Sequence, residues 1–181
     1  MSSTLQYIKD KFHIPNPGRR TLIPNYGRED LVKLFSELGF TIGVEVGTEK
    51  GIFARKILDA NPNLKLFCVD PWLKTEDYLE ERRNGLHERN YKQALERTTG
   101  FDCTLIKKPS MEAVKDFANN SLDFVYIDGD HSLPAVINDI HQWIKKVKVG
   151  GILAGHDYSN LNHHGKPNLT HHNHYAKLYK P

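Results

Sequence analysis

A buried strand, a glycine turn and a helix follow one another directly within residues 40–58, and this succession constrains the fold most strongly. Residues 40–46 are an apolar run typical of a strand inside a sheet. Gly47 and Gly51 follow, and residues 52–58 carry apolar side chains at helical spacing. Glycine tolerates a positive φ and lets the backbone approach a ligand, while the free N–H groups at a helix start can face that ligand. The segment therefore predicts a ligand-binding turn after the first strand.

The spacing of the acidic residue and the glycines narrows the choice of ligand. Glu45, Gly47 and Gly51 give the pattern Glu-x-Gly-x-x-x-Gly. Dinucleotide-binding enzymes carry Gly-x-Gly-x-x-Gly and a P-loop ends in Gly-Lys-Ser/Thr, so the segment matches neither pattern. An acidic residue at the end of a strand suits a ligand with a positively charged amino group better than a pyrophosphate. A purely structural turn would have the same sequence, so the rest of the chain has to decide between the two interpretations.

Four further predicted strands alternate with helices, and each is followed by polar residues. The strands are residues 64–69, 102–107, 122–127 and 152–155. The polar residues after them are Asp70, Ser110, Asp128, Asp130, His131, His156 and Asp157. Such alternation predicts an α/β fold with a parallel sheet and right-handed crossovers. Because ligands bind at the carboxyl ends of parallel strands, we expect these side chains to meet at one edge of the sheet.

Asp70 ends the second predicted strand and is the candidate for binding a ribose. It comes about 20 residues after the glycine motif, where a carboxylate in a Rossmann-type site accepts hydrogen bonds from ribose hydroxyls. The alternative role is a turn cap before Pro71.

Two later helices carry predictions of their own. Ser110 starts the helix after the third strand, where its hydroxyl can act as an N-cap. The helix after the fourth strand has an apolar inner face formed by Val136, Ile140, Trp143, Ile144 and Val147. We expect these apolar residues to face the sheet.

Three segments together resemble the small class I S-adenosylmethionine (SAM)-dependent methyltransferases of the macrocin and catechol O-methyltransferase type. They are the glycine motif, residues 126–131 and residues 150–158, in order and at suitable spacing. The resemblance covers about residues 28–158 and implies a Rossmann-like three-layer sandwich. The family sheet usually has seven strands and ends in an antiparallel pair, for which this chain leaves too little sequence. We therefore expect a mainly parallel sheet of about five strands in the order 3-2-1-4-5, with the pair missing.

The resemblance also implies SAM as the cofactor. The residues expected to bind it are Glu45, Gly47 and Gly51 at the methionine end, Asp70 at the ribose, and Ser110 and Met111 at the adenine. The implied function is O-methylation of a small-molecule or sugar hydroxyl. A catalytically inactive nucleoside-binding module of the same fold is the main alternative. A nicotinamide-dependent oxidoreductase is a weaker one, because the glycine spacing argues against it.

A divalent cation binds the acceptor hydroxyl in the family and lowers its pKa, so that the oxygen can attack the methyl group. The matching positions in this chain are Asp128, His156 and Asp157. Magnesium prefers oxygen ligands, and imidazole suits zinc or iron better than manganese, so His156 leaves open which metal binds and whether one is needed. Without a metal, Asp128 or Asp157 would bind the substrate through hydrogen bonds.

The family chemistry also needs a general base. His131 stands three residues after Asp128, where the catechol type has a lysine. Histidine has a pKa near the working pH, so its ring can accept the proton of a hydroxyl. The alternative is that His131 caps the following helix or orders Asp128. His156 is the second candidate for the base.

The resemblance divides the chain into a lead-in of residues 1–27, a methyltransferase domain of residues 28–158 and a tail of residues 159–181. The tail is polar and rich in histidine, and no strand is predicted in it. A bare fifth strand would leave an exposed sheet edge, through which we expect a homodimer to be able to form.

Composition and charge limit the kinds of partner that we expect this chain to bind. The 25 basic and 22 acidic residues are intermixed and give a net charge of +3. A charge this small does not indicate a nucleic-acid partner. Cys68 and Cys103 lie in predicted strands, where buried free thiols fit a reducing cytosol. No apolar run approaches the roughly 20 residues that span a bilayer, and the N-terminus has no signal-peptide pattern. We expect a cytoplasmic protein with a small-molecule acceptor and no membrane partner.

Overall fold

Six strands form one sheet, and five of them are parallel. The strands are β1 (Ile42–Val46), β2 (Lys65–Val69), β3 (Cys103–Ile106), β4 (Leu122–Ile127), β5 (Val147–Gly155) and β6 (Tyr175–Leu178). They lie in the order β3-β2-β1-β4-β5-β6, and all neighbours from β3 to β5 pair in parallel. The predicted order of the parallel strands is therefore confirmed. The computed structural model describes residues 3–14, 23, 26–72 and 85–156 in full, and the backbone alone of residues 84 and 175–178.

Helices cover both faces of the sheet. They are α1 (Thr4–Lys11), α2 (Arg28–Glu37), α3 (Ile52–Ala60), α4 (Asn84–Thr98), α5 (Ser110–Ala113) and α6 (Leu133–Trp143). Short 3₁₀ turns at Val114–Asp116 and Ile144–Lys146 continue α5 and α6. Within the described ranges, none of the helices is both long and apolar enough to cross a membrane.

Two apolar cores fill the spaces between the sheet and its helices, because side chains alternate across each strand. Phe124 and Tyr126 of β4 join the core formed with α2 and α3. Val125 and Ile127 of the same strand join the core that contains Trp143 of α6. The three-layer arrangement that the resemblance implied is therefore present.

Gly43 leaves the space that the aromatic part of the first core needs. The Phe124 ring stacks on Phe35 with 4.0 Å between the ring centroids. Gly43 and Phe124 are partners in the β1–β4 ladder, and a β-carbon at Gly43 would lie 2.2 Å from the Phe124 ring. A side chain at position 43 would therefore displace the ring from its stack.

Cys68 and Cys103 are both free thiols, as predicted. They lie on the neighbouring strands β2 and β3, with 3.5 Å between their sulfur atoms. Cys68 is buried and Cys103 is half-buried, so the expected burial is complete only for Cys68.

The tail contains a strand, and the prediction that it has none is wrong. β6 pairs antiparallel with β5, with Leu153 opposite Lys177. One antiparallel strand is thus present where the pair was expected to be missing, and the edge of β5 is covered rather than bare. The free N–H and C=O groups of an edge strand need partners, and Tyr175 is a residue that favours strands. The rest of the tail lies outside the described residues.

The apolar stripe of α6 does not face the sheet as a whole. Trp143 is buried and Val136 and Ile144 are half-buried, but the side chain of Ile140 is 38% exposed. Asp139 takes the inward place beside Trp143. The expectation that Ile140 faces the core is wrong, because Asp139 and Trp143 lie four residues apart on the face that carries their hydrogen bonds.

We expect Gly43→Ala to lower the free energy of unfolding by about 1–3 kcal/mol, because the added methyl group overlaps the Phe124 ring. Gly85→Ala is the matched control. A β-carbon at Gly85 has no neighbour within 4 Å among the described residues, and alanine is favoured over glycine in a helix by about 0.5–1 kcal/mol. Urea unfolding of both variants tests this, and equal midpoints for the two would contradict the overlap.

Candidate functional site

The carboxyl ends of β1, β2 and β4 open into one cavity of about 960 Å³. It lies at the point where the strand order reverses between β1 and β4, which is where open α/β sheets bind ligands. The predicted site residues that line it are Glu45, Gly47, Asp70, Ser110, Met111, Asp128 and His131. Gly51 and His156 do not line it, and Asp157 lies outside the described residues. The fold thus brings the lining residues together, while their roles stay predictions.

The protein's own backbone requires a glycine at position 47. The φ of Gly47 is 91°, and a β-carbon there would lie 2.1 Å from the carbonyl oxygen of Asp128. Hydrogen bonds tie the turn in place: Gly47 N donates to Val69 O at 2.8 Å, and Asp128 N donates to Val46 O at 2.7 Å. The close approach of the turn after β4 therefore already requires the glycine that was predicted to admit a ligand.

Gly51 allows α3 to start against α4. Its φ is 72°, a conformation that glycine adopts without strain. A β-carbon at this position would lie 2.9 Å from Cα of Ala94 in α4. The role of Gly51 in the structure is therefore to let α3 pack closely against α4.

Glu45 is a buried acid in the wall of the cavity. Its side chain is 2% exposed, and among the described residues its Oε2 atom has no hydrogen-bond partner. Burial raises the pKa of Glu45 to about 8, and the nearby carboxylate of Asp128 adds to the rise. A buried oxygen of this kind is stabilised by a ligand that brings a positively charged donor.

Asp70 joins the glycine turn to the end of β2. Its Oδ2 accepts a hydrogen bond from Glu49 N at 2.9 Å, and its Oδ1 accepts one from Trp72 N at 2.9 Å. Burial raises the pKa of Asp70, and these two backbone bonds oppose the rise. The bond from Trp72 is the turn cap that was the alternative to ribose binding. Each carboxylate oxygen can accept a second bond, so the cap leaves Asp70 able to bind hydroxyl groups as well.

Ser110 is a half-buried residue of the cavity wall that is hydrogen-bonded to two buried side chains, Asp139 and Trp143. Its hydroxyl donates to Asp139 and accepts a hydrogen bond from Trp143 Nε1 at 2.8 Å. Pro109 is the N-cap of α5, so the N-cap role expected for Ser110 is wrong. Burial raises the pKa of Asp139, while the bond from Ser110 opposes the rise.

Asp128 stands between the two predicted base candidates. Its Oδ1 lies 4.0 Å from Nε2 of His131 and 3.7 Å from Nδ1 of His156. His156 is held in place by its backbone N, which donates to Ile127 O at 3.0 Å. A carboxylate beside two imidazole rings can orient a ring and stabilise its protonated form.

The structure places two of the three predicted metal ligands near each other. Asp128 and His156 are neighbours, but the third predicted ligand, Asp157, is outside the described residues. In the part of the chain that the structure describes, no three His, Cys, Asp or Glu side chains are grouped so as to hold a metal ion. The described residues alone therefore do not form a metal centre.

Arg28 and Asp139 are among the cavity-wall residues that were not predicted from the sequence as part of the site. The position of Asp139, four residues before Trp143 on an apolar helix, was the available indication of a buried polar group. Arg28 starts α2, before the first motif, and no pattern around it indicated that it reaches the site.

A family model described as a methyltransferase domain matches residues 44–158 of the chain. The uncharacterized protein y4gI of Sinorhizobium fredii is 28% identical over 131 residues, which are 67% of this chain and 13% of that protein. The chain therefore spans only a small part of the length of this relative.

Solved structures of low identity share the fold. Cofactor-bound Rv0187 from MTB gives a TM-score of 0.53 at 15% identity, covering 84% of this chain and 62% of that one. An O-methyltransferase family protein from Burkholderia thailandensis gives a TM-score of 0.54 at 13% identity, covering 79% of this chain and 43% of that one. The chain spans less than two thirds of the length of either protein.

We expect Glu45→Gln to stabilise the ligand-free protein increasingly as the pH rises. The pKa of Glu45 is about 8 in the folded protein, against an ordinary value of 4.5. Because the folded state holds the proton more tightly, the contribution of Glu45 to stability is fully present below about pH 4.5. It is lost as the pH rises toward about 8, at up to about 1.4 kcal/mol per pH unit. A glutamine cannot ionise, so the variant escapes this loss.

Urea unfolding of wild type and Glu45→Gln between about pH 5 and pH 9 measures the difference. The matched control is Glu112→Gln, which changes an exposed carboxylate and should leave the difference from wild type constant across this range. A difference between Glu45→Gln and wild type that does not vary with pH would show that Glu45 is not held protonated.

Proposed function

The chain belongs to the methyltransferase-domain family, and on this premise we propose that it transfers the methyl group of SAM to a hydroxyl of a small molecule or a sugar. When bound, the cofactor supplies a methyl group on a positively charged sulfur. The chain has to hold the nucleoside, place the acceptor oxygen and remove its proton.

The buried carboxyl of Glu45 is the observation that carries the proposal. Its Oε2 atom lies in the cavity wall without a hydrogen bond from the described residues. The ammonium group of a methionine moiety supplies the missing donor and favours the ionised carboxylate. Asp70 lies in the same cavity with its carboxylate held by two backbone N–H groups. It is proposed to bind the ribose hydroxyls with its remaining acceptor capacity.

The acceptor is proposed to bind beside Asp128, His131 and His156. The side chain of His131 is 55% exposed, whereas that of His156 is 15% exposed. An imidazole nitrogen of His131 takes the proton from the acceptor hydroxyl as the oxygen attacks, and the carboxylate of Asp128 stabilises the resulting imidazolium. Because the ring of His131 is open to solvent, it returns this proton to water after each turnover.

The divalent cation implied by the resemblance would be held by Asp128, His156 and Asp157, and would polarise the acceptor oxygen. Its presence stays a prediction. The steps above use only side chains of the described residues, and do not depend on the ion.

Calorimetric titration with S-adenosylhomocysteine tests the cofactor assignment. We expect saturable binding in the micromolar range, and no binding at millimolar concentration would remove the assignment. Methyl transfer from labelled SAM to a panel of catechols and sugars tests the activity. Binding without transfer to any acceptor would favour the nucleoside-binding module, and a fluorescence titration with NADH separates both from an oxidoreductase.

We expect His131→Ala to lower kcat by about 10²- to 10⁴-fold, which is the usual contribution of a general base. The affinity for S-adenosylhomocysteine should stay unchanged, because His131 is assigned to the acceptor. His141→Ala, an exposed histidine of α6, is the matched control and should retain full activity. If kcat of His131→Ala stayed near the wild-type value, the base would have to be another residue. His156 would then be the remaining candidate.

A further inference from the structure

Arg28 lies in the same cavity wall as Glu45, but it comes from a different part of the chain. It is the first residue of α2 and lines the cavity. Its guanidinium carbon lies 5.3 Å from the ring centroid of Phe53, a contact that helps to hold a cation at a half-buried position. The position and the stacking together place a fixed positive charge at the cavity wall.

In the part of the chain that the structure describes, the charge of Arg28 is not paired with a carboxylate. Half-buried arginines usually bind carboxylates or phosphates through their planar fork of N–H groups. Its charge is therefore available for an anionic group of a ligand.

Aromatic side chains connect Arg28 to Glu45. The Phe53 ring packs on Tyr126 with 4.4 Å between the centroids, and Tyr126 is the direct partner of Glu45 in the β1–β4 ladder. Burial and the carboxylate of Asp128 raise the pKa of Tyr126, and the charge of Arg28 opposes the rise. This end of the cavity therefore presents both a carboxyl group and a guanidinium group.

A carboxyl and a guanidinium in the wall of one cavity match a zwitterionic α-amino acid, whose ammonium and carboxylate groups are bonded to the same carbon atom. We propose that Arg28 binds the α-carboxylate of the methionine moiety of the cofactor, while Glu45 binds its ammonium group. This inference rests on the proposed function, which supplies the ligand. Arg28 then makes the site selective for the carboxylated nucleoside over its decarboxylated form.

Binding of two ligands to two variants tests the inference. We expect Arg28→Met to weaken the binding of S-adenosylhomocysteine by about tenfold to a hundredfold, because a charge-assisted hydrogen bond is lost. Decarboxylated S-adenosylhomocysteine keeps the ammonium group but lacks the carboxylate. The affinity of Arg28→Met for this decarboxylated ligand should differ from that of wild type by less than about twofold. Arg28→Lys keeps the charge but not the fork, and should give an intermediate loss for S-adenosylhomocysteine only.

Arg55→Met is the matched control. Arg55 also lies over a phenyl ring, 4.9 Å from the Phe101 centroid, but it pairs with Asp59 and does not line the cavity. This variant should bind both ligands as wild type does.

The outcomes separate the two proposals. Equal losses for the two ligands in Arg28→Met, or no loss for S-adenosylhomocysteine, would overturn the assignment of Arg28 while leaving the cofactor site in place. Wild-type protein that binds neither ligand would overturn the proposed function, and this assignment with it.

Discussion

The close approach of two backbone turns, at Gly47 and Asp128, sets the geometry on which the site depends. No β-carbon fits at Gly47, and hydrogen bonds tie its turn to the ends of β2 and β4. This contact places the end of β1, with Glu45, beside the residues that follow β4. The nucleoside end and the acceptor end of the proposed site are therefore built around one piece of packed backbone.

Glu45 and Asp70, both at this edge of the sheet, differ in the hydrogen bonds that the protein gives to their carboxyl groups. Glu45 is buried and Asp70 is half-buried, and burial raises the pKa of each. Two backbone N–H groups bind the carboxylate of Asp70, so the fold itself keeps this group in place. Oε2 of Glu45 has no such donor among the described residues. Part of the ligand's binding energy is therefore used to ionise Glu45, which favours ligands that carry a full positive charge.

The features that follow from local patterns were predictable from the sequence. Each parallel strand is an apolar run followed by polar residues, so the sheet and the residues at its carboxyl edge could be predicted. β6 could not, because its four residues are too few to show alternation and are stabilised by the edge of β5. The inward place of Asp139 on α6 could not be predicted either, because it depends on the hydrogen bond that Asp139 accepts from Ser110 of α5. Arg28 reaches the site through tertiary packing that no local pattern encodes.

Proton release on ligand binding tests most directly whether Glu45 is protonated in the free protein and ionises when a cationic ligand binds. At about pH 6.5 the amine of S-adenosylhomocysteine already carries its proton, and Glu45, with a pKa of about 8, still holds its own. Titration calorimetry in buffers of different ionisation enthalpy should therefore show the release of close to one proton per ligand bound by wild type, and none by Glu45→Gln. Binding by wild type without proton release would contradict the proposed pairing of Glu45 with the ammonium group.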